Sequence, residues 1–203
     1  MSDRPMYHEE SRRLQDQFDT RRLADRLVEK LTRTSFNDED RAFIESQSMF
    51  FLATTDADGF PDCSYKGGEP GFVRILDERT LVFPSYDGNG MFKSLGNIRA
   101  NAAVGLLFLD FTRPRRLRVN GTATVSVDDP AMALFVGAQL LVRVTPHHVF
   151  PNCPRYIPKM QVAEPSPYVS RAGCVAPVPN WKKRPHFNEV LPAGDPAKEP
   201  QAP

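Results

Sequence analysis

Three stretches of this chain combine residue types that could do chemistry. The densest runs from Ser64 to Arg74, Ser-Tyr-Lys-Gly-Gly-Glu-Pro-Gly-Phe-Val-Arg. Its glycines let the backbone come close to a ligand, and Lys66 and Arg74 flank the loop with positive charge. That suits a planar anion, although a glycine-rich hairpin connection with solvated charges has the same composition. The second stretch, Pro84 to Ser94, is a strand end, an Asp-Gly-Asn-Gly turn and a helix start. Free backbone N–H groups and the helix dipole would both face a phosphate placed there, with Ser85, Asn89 and Lys93 as further donors. A plain helix-capping turn would look alike. The third is Arg-Pro-Arg-Arg-Leu-Arg-Val-Asn-Gly over 113–121. On a strand, alternation places Arg116 and Arg118 on one face and Arg115 and Leu117 on the other, so one guanidinium could point into a cleft or simply protect a sheet edge. The pair His147 and His148 cannot share a metal from a regular strand, because neighbouring side chains point to opposite faces, and no metal site is expected.

The elements that must position these residues are mostly strands. Residues 49–55, Met-Phe-Phe-Leu-Ala-Thr-Thr, are β-prone and end in Asp-Ala-Asp-Gly, a hairpin-turn composition. Strand signals recur at 61–66, 71–76, 80–84, 103–110, 117–127 and 140–149. Six or seven strands at such spacing indicate a barrel or sandwich. Helices interrupt them near 91–99 and after Asp128-Asp-Pro130, where proline suits a first helical turn. Before the strands, Leu14, Phe18, Leu23, Leu27 and Leu31 recur every four or five residues among many charges, predicting one helix over 8–31 with an apolar stripe. The stripe could cover its own barrel or a partner subunit. A short helix through about Gln47 follows, capped by Ser35 or Asn37, with acids at its positive end. The last 54 residues hold 12 of the 19 prolines, predicting an extended, wrapping or partly disordered tail without regular helix, in which Trp181 either anchors the tail across a surface or stacks near a planar ligand. The expected division is 1–34 for the helix, 35–150 for the barrel and 151–203 for the tail.

Bulk properties narrow the partners. The chain has 203 residues, enough for one core, and its net charge of +1 comes from 26 basic and 25 acidic side chains. No one-sided field is available for nucleic acid or anionic lipid. No apolar run reaches the length of a membrane helix and the N-terminus lacks a secretory core, so a cytoplasmic protein is expected. Cys63, Cys153 and Cys174 are odd in number and widely spaced, and read as free thiols.

Taken in order, Phe50-Phe-Leu-Ala-Thr-Thr-Asp-Ala-Asp-Gly-Phe-Pro61, the Gly-Phe-Val-Arg74 strand, Leu81 to Met91, Asn97-Ile-Arg-Ala-Asn101 and Leu117-Arg-Val-Asn-Gly-Thr-Ala123 resemble the pyridoxamine 5'-phosphate oxidase-like, FMN-binding split-barrel family. The likeness spans about 40–156. Asn152-Cys-Pro-Arg-Tyr-Ile157 resembles the marker of one branch of it. The resemblance implies a β-rich (α+β) fold, a six- to seven-stranded split β-barrel with accessory helices. It also implies a homodimer with FMN in a groove between the two subunits.

Residue by residue, the resemblance implies that Gly71, Phe72, Val73 and Arg74 run beside the isoalloxazine ring. Ser85 and the backbone of Asn89, Gly90 and Met91 would hold the phosphate. The family's Ser-Arg-Lys is replaced here by Asn89-Gly-Met91, so Lys66, Arg74 or Arg116 must supply the cations. Arg116 falls where the oxidase has a flavin-contacting glutamine, and a guanidinium there could stabilise reduced FMN. Arg184-Pro-His186 has only a chance likeness to the oxidase's substrate-gripping Arg-x-His, so vitamin B6 oxidation is not expected. Asn152, Arg155 and Tyr156 could reach the groove mouth and touch substrate, or merely anchor the tail. The expectation is an FMN-dependent oxidoreductase acting on a small molecule by hydride transfer. The alternative is a carrier of FMN or haem without turnover, for which His147, His148 and Cys153 are the available ligands. A deazaflavin ranks last, there being no large basic groove.

Overall fold

The computed structural model describes residues 5–198. Seven strands form one sheet, antiparallel at every pairing: β1 (Met49–Thr55), β2 (Pro61–Gly67), β3 (Arg74–Asp77), β4 (Thr80–Ser85), β5 (Ala103–Asp110), β6 (Arg115–Ser126) and β7 (Leu140–Pro151). Their order is β2-β1-β5-β6-β7-β4-β3. Alternating apolar residues turn one face inward, as the strict alternation of burial along β5 shows. Phe50 of β1 lies 5.0 Å from Phe83 of β4 and 5.1 Å from Phe108 of β5, ring centre to ring centre. Three strands separate β1 from β4 in the sheet, so their rings meet only because the sheet curls round its own core. This is the β-rich barrel that the sequence predicted, with seven strands.

Helices close the barrel. Helix α3 (Asp38–Glu45) opens with a reciprocal capping box in which the Asn37 side chain accepts from the Asp40 N–H at 2.8 Å and Asp40 Oδ2 accepts from the Asn37 N–H at 3.2 Å. It buries Phe43 and Ile44 in the core. Helix α4 (Lys93–Ala100) buries Leu95 and Ile98, and its Asn97 amide donates to Thr54 Oγ1 of β1 at 3.0 Å. The proline at 130 opens a single 3₁₀ stretch, Pro130–Leu134, capped by Asp129. No described helix is long and apolar enough to cross a membrane.

Four expectations change. The helix predicted over 8–31 is two, α1 (Glu9–Gln17) and α2 (Arg21–Leu31), because Asp19 adopts φ +51° and the Thr20 N–H turns back to Gln15 O. The strand predicted from 71 begins at Arg74. Gly71 sits at φ +91° and the Phe72 N–H donates to Glu69 O at 2.8 Å, a turn that sinks Phe72 and Val73 into the core. The barrel unit runs on to Ala163, past the boundary expected at 150, with the Met160 N–H donating to Phe111 O at 3.0 Å. A second compact unit begins at Glu164. Where an extended tail was expected, this unit contains single helical turns, Asn180–Lys183, α5 (Pro185–Asn188) and Pro196–Lys198, with Pro185 in the first turn of α5. Trp181 meets Phe187 edge-on at 5.7 Å, and buried Lys182 pairs with Asp195 at 2.8 Å.

Candidate active-site groove

The register of the sheet defines an outward row. Ala53 of β1 pairs with Gly105 of β5, Gly105 with Asn120 of β6, and Asn120 with His148 of β7. Paired residues of antiparallel strands share a face, and the neighbours Leu52, Leu106, Val119 and Val149 are all in the core. The next outward rung holds Leu107, Arg118 and Phe150, and the last paired outward position of β6 is Arg116, opposite Leu109. A groove of about 1000 Å³ lies over this face. Its floor is Ala53, Gly105, Arg116, Arg118 and Asn120, and its opposite wall is Leu27, Val28 and Leu31 of α2. An antiparallel bridge between Arg33 and Val149 ties the chain just after α2 to β7.

A β-bulge shapes one side of the groove. Asn120 pairs with His148 while Gly121 pairs with Pro146, leaving His147 as the extra residue. The strand is therefore not regular at the histidine pair, and both His147 and His148 line the groove, correcting the opposite-face expectation. Among the described residues, no cluster of three or more His, Cys, Asp or Glu side chains is placed to hold a metal ion.

The polar end of the groove carries two buried atoms without a hydrogen-bond partner among the described residues, Arg116 Nε and Asn152 Oδ1. Pro151 pairs with Leu117, so Asn152 stands one rung further, level with Arg116. A buried guanidinium nitrogen and a buried amide oxygen each cost about 1–3 kcal/mol if left unsatisfied, so this corner is built for a donor and an acceptor brought by something else. Cys153 is exposed at the same end. The Arg155 N–H bonded to its sulfur, with the Arg155 and Arg116 guanidiniums nearby, draws the thiol below its ordinary range. Arg155 itself lies over the ring of the exposed Tyr156, 5.9 Å from its centre.

The other candidates lie elsewhere. Lys66 sits on β2 opposite Phe50, half-buried, and burial pushes its ammonium below the usual lysine value, with Asp62 partly offsetting this. It makes no ion pair among the described residues. The side chains of Phe72 and Val73 are buried in the core, with Phe72 stacked 5.9 Å from Phe50, which leaves only their backbone for any ligand. Arg74 spends its charge on Glu45 at 3.6 Å. Ser85 closes β4 opposite Leu140, and its carbonyl accepts from the Gln139 N–H at 2.8 Å. In the turn that follows, Asn89 Oδ1 accepts from the Met91 N–H at 3.0 Å, Gly90 has φ +74°, and the Met91 side chain is exposed. That turn and Arg116 are far apart: Ser85 is level with the Leu140–Ser126 end of β7 and β6, whereas Arg116 begins β6. Ten residues of strand, roughly 30 Å, separate the two ends.

In the sequence, His147, His148 and Cys153 had a binding role only as haem ligands under the alternative reading, Leu27 and Leu31 were part of a stripe that had to pack on something, and Val28 was not singled out. The groove joins them to Arg116 and Asn152. The one local signal that could have placed His147 is Gly121, since a β-carbon there would meet Thr145 O at 2.2 Å.

Known proteins bear on this geometry. Among curated proteins, no sequence matches the chain. Its fold is similar to a putative pyridoxamine 5'-phosphate oxidase from Lactobacillus delbrueckii, at 24% identity over 58% of this chain and 95% of that one, TM-score 0.47. It is similar to HupZ from Group A Streptococcus, at 21% identity over 57% and 93%, TM-score 0.46. It is also similar to HutZ, the heme storage protein of Vibrio cholerae, at 18% identity over 53% and 87%, TM-score 0.40. Likenesses of this size carry nothing about ligand or reaction. The sequence itself is decisive for ancestry, because residues 36–164, which include every strand of the barrel, match the family model described as pyridoxamine 5'-phosphate oxidase. This chain belongs to the pyridoxamine 5'-phosphate oxidase family.

Proposed function

We propose that the protein is an FMN-dependent oxidoreductase for a small molecule and that it works as a homodimer, each flavin lying between two copies. The observation that carries this reading is the pair of buried, unpartnered atoms at the groove's end, Arg116 Nε and Asn152 Oδ1. Together, they suit a ligand edge that offers an acceptor next to a donor, as a flavin's pyrimidine edge does. The half-buried Lys66 supports an anion on the adjoining strands, since a cation losing hydration is stabilised by a phosphate. Two copies are favoured by the positions of Arg116 and the turn from Ser85 to Met91 at opposite ends of the barrel, further apart than one mononucleotide reaches.

Bound FMN supplies hydride transfer at its ring. The chain's own residues then do the positioning. Arg116 donates to the polar edge and holds a fixed positive charge where negative charge accumulates on reduction. Asn152 fixes the orientation of that edge by accepting. Backbone groups of Gly71 to Arg74 flank the ring, and Ser85 with the Asn89–Met91 turn holds the phosphate.

A second reading, a carrier of haem without turnover, has its own observation: His147, His148 and Cys153 all line the groove. Native purification followed by an absorption spectrum separates the two, flavin bands against a Soret band. Under the flavin reading, Arg116→Ala and Lys66→Ala each weaken FMN binding by about 1–3 kcal/mol, and NADH or NADPH reduces the bound flavin in stopped-flow. A protein that carries no flavin and has no affinity for added FMN rules the reading out, and a monomer by light scattering rules out the shared site.

A further inference from the structure

We propose that the groove beneath α2 binds an amphipathic organic anion, an aromatic or aliphatic carboxylate whose charged head meets Arg118 and whose apolar body lies against α2. This rests on the flavin reading in one respect, that such a molecule would be the substrate class presented to the flavin held at the Arg116 end.

The groove carries unbalanced positive charge. The chain as a whole is balanced, 26 basic against 25 acidic side chains, yet among the described residues no aspartate or glutamate lines the groove. Arg116 and Arg118 occupy successive outward positions of β6, and neither makes an ion pair among the described residues. Other arginines of the same two strands are neutralised. Arg115 pairs with Glu39 at 2.7 Å, and Arg143 donates from Nη2 to Asp129 Oδ1 at 2.8 Å. Two guanidiniums left without acids in one concave surface repel each other and attract a carboxylate, which a guanidinium can grip with two parallel N–H donors.

The wall facing them is apolar. Leu27 and Leu31 lie one helical turn apart on α2, 44% and 39% exposed, and both line the groove with Val28 between them. Phe150, next to Arg118 on the sheet, adds an apolar patch. The floor includes Ala53 and Gly105, which put little side-chain bulk between the two sides. A body slotted between α2 and this floor removes the leucine faces from water while its head stays at the arginine. The volume, about 1000 Å³, lies at the upper end of what small-molecule sites offer.

A pair of fluorescent dyes tests both halves. 8-Anilinonaphthalene-1-sulfonate is an apolar body with an anionic head, and N-phenyl-1-naphthylamine is almost the same body without it. With the full chain loaded with FMN, the sulfonate is expected to bind saturably and at least tenfold more tightly than the neutral dye, and decanoate to displace it. Arg118→Gln should weaken the sulfonate about tenfold and leave the neutral dye unchanged, while Leu31→Ser weakens both. The proposal is overturned if the two dyes bind alike, if Arg118→Gln changes neither, or if FMN competes with the sulfonate so that the loaded protein binds none, since the groove would then be the flavin's own seat. Arg118-dependent dye binding by a protein without FMN affinity would leave the anion site standing and remove only the flavin reading.

Discussion

Replacing Gly121 by alanine tests the bulge that shapes the groove. A β-carbon at 121 would stand 2.2 Å from Thr145 O, 3.0 Å from Thr145 C and 3.1 Å from Pro146 Cα. All three are backbone atoms of β7, so no side chain can rotate away, and the β6–β7 ladder must open beside the unpaired His147. Overpacking in a filled interior costs about 1–3 kcal/mol, and because the obstacle is backbone in two central strands, the expected loss is near the top, about 3 kcal/mol. For a chain of this size that corresponds to a fall in Tm of roughly 6–12 °C. Urea and thermal melts followed by far-UV circular dichroism read it directly. Gly105→Ala is the control, since its nearest neighbours would be Ala53 Cβ at 3.7 Å and Asn120 Nδ2 at 3.9 Å, ordinary contact. It should cost less than about 1 kcal/mol, within the usual range for surface-facing substitutions. If Gly121→Ala melts within about 0.5 kcal/mol of the parent, or Gly105→Ala is as damaging, the close-approach reasoning is refuted.

Phe50→Ala should cost about 3–5 kcal/mol in the same melts, because a fully buried ring touching Phe72, Phe83 and Phe108 leaves a cavity where the two ends of the curled sheet meet. The Asp129 carboxyl is held below its ordinary value, chiefly by the hydrogen bond from Arg143, so its contribution is complete above about pH 4 and is lost as pH falls through the depressed folded value. Asp129→Asn should accordingly remove about 1 kcal/mol at pH 7, a modest figure because Arg143 is open to solvent, and the gap to the parent should close in acid; an unchanged gap at low pH would contradict this. Cys153, exposed and drawn down by the Arg155 N–H and the flanking guanidiniums, should be the thiol that iodoacetamide labels first near neutral pH. Peptide mass mapping checks this, and labelling of Cys63 ahead of it would count against the local field.

Much of the fold could be read from local sequence, because the forces that set it are local. Alternation along 49–55 and 103–110 puts one apolar face inward whatever the rest of the chain does, and Asn37 with Asp40 caps α3 through atoms three residues apart. The phase of β6 was likewise legible: Arg116 and Arg118 face the groove, and Leu117 faces the core. The turn at 71–73 was not. A run of Gly-Phe-Val reads as strand, and only the pull of Phe72 toward Phe50 in the core decides that the backbone turns before Arg74.

The candidate site divides the same way. Residue types and order determined that Lys66, the Ser85–Met91 turn and Arg116 were candidates, and that the chain resembles the pyridoxamine 5'-phosphate oxidase family, because those signals lie in short segments. Tertiary structure alone decided that Arg116 and the Ser85 turn stand at opposite ends of one barrel, and that Arg74 is taken by Glu45. It also decided that the extra residue in β7 turns both histidines to a groove roofed by α2. Each of these depends on strand register or on a contact across dozens of residues, and periodicity within a strand says which face a side chain takes but not what stands opposite it.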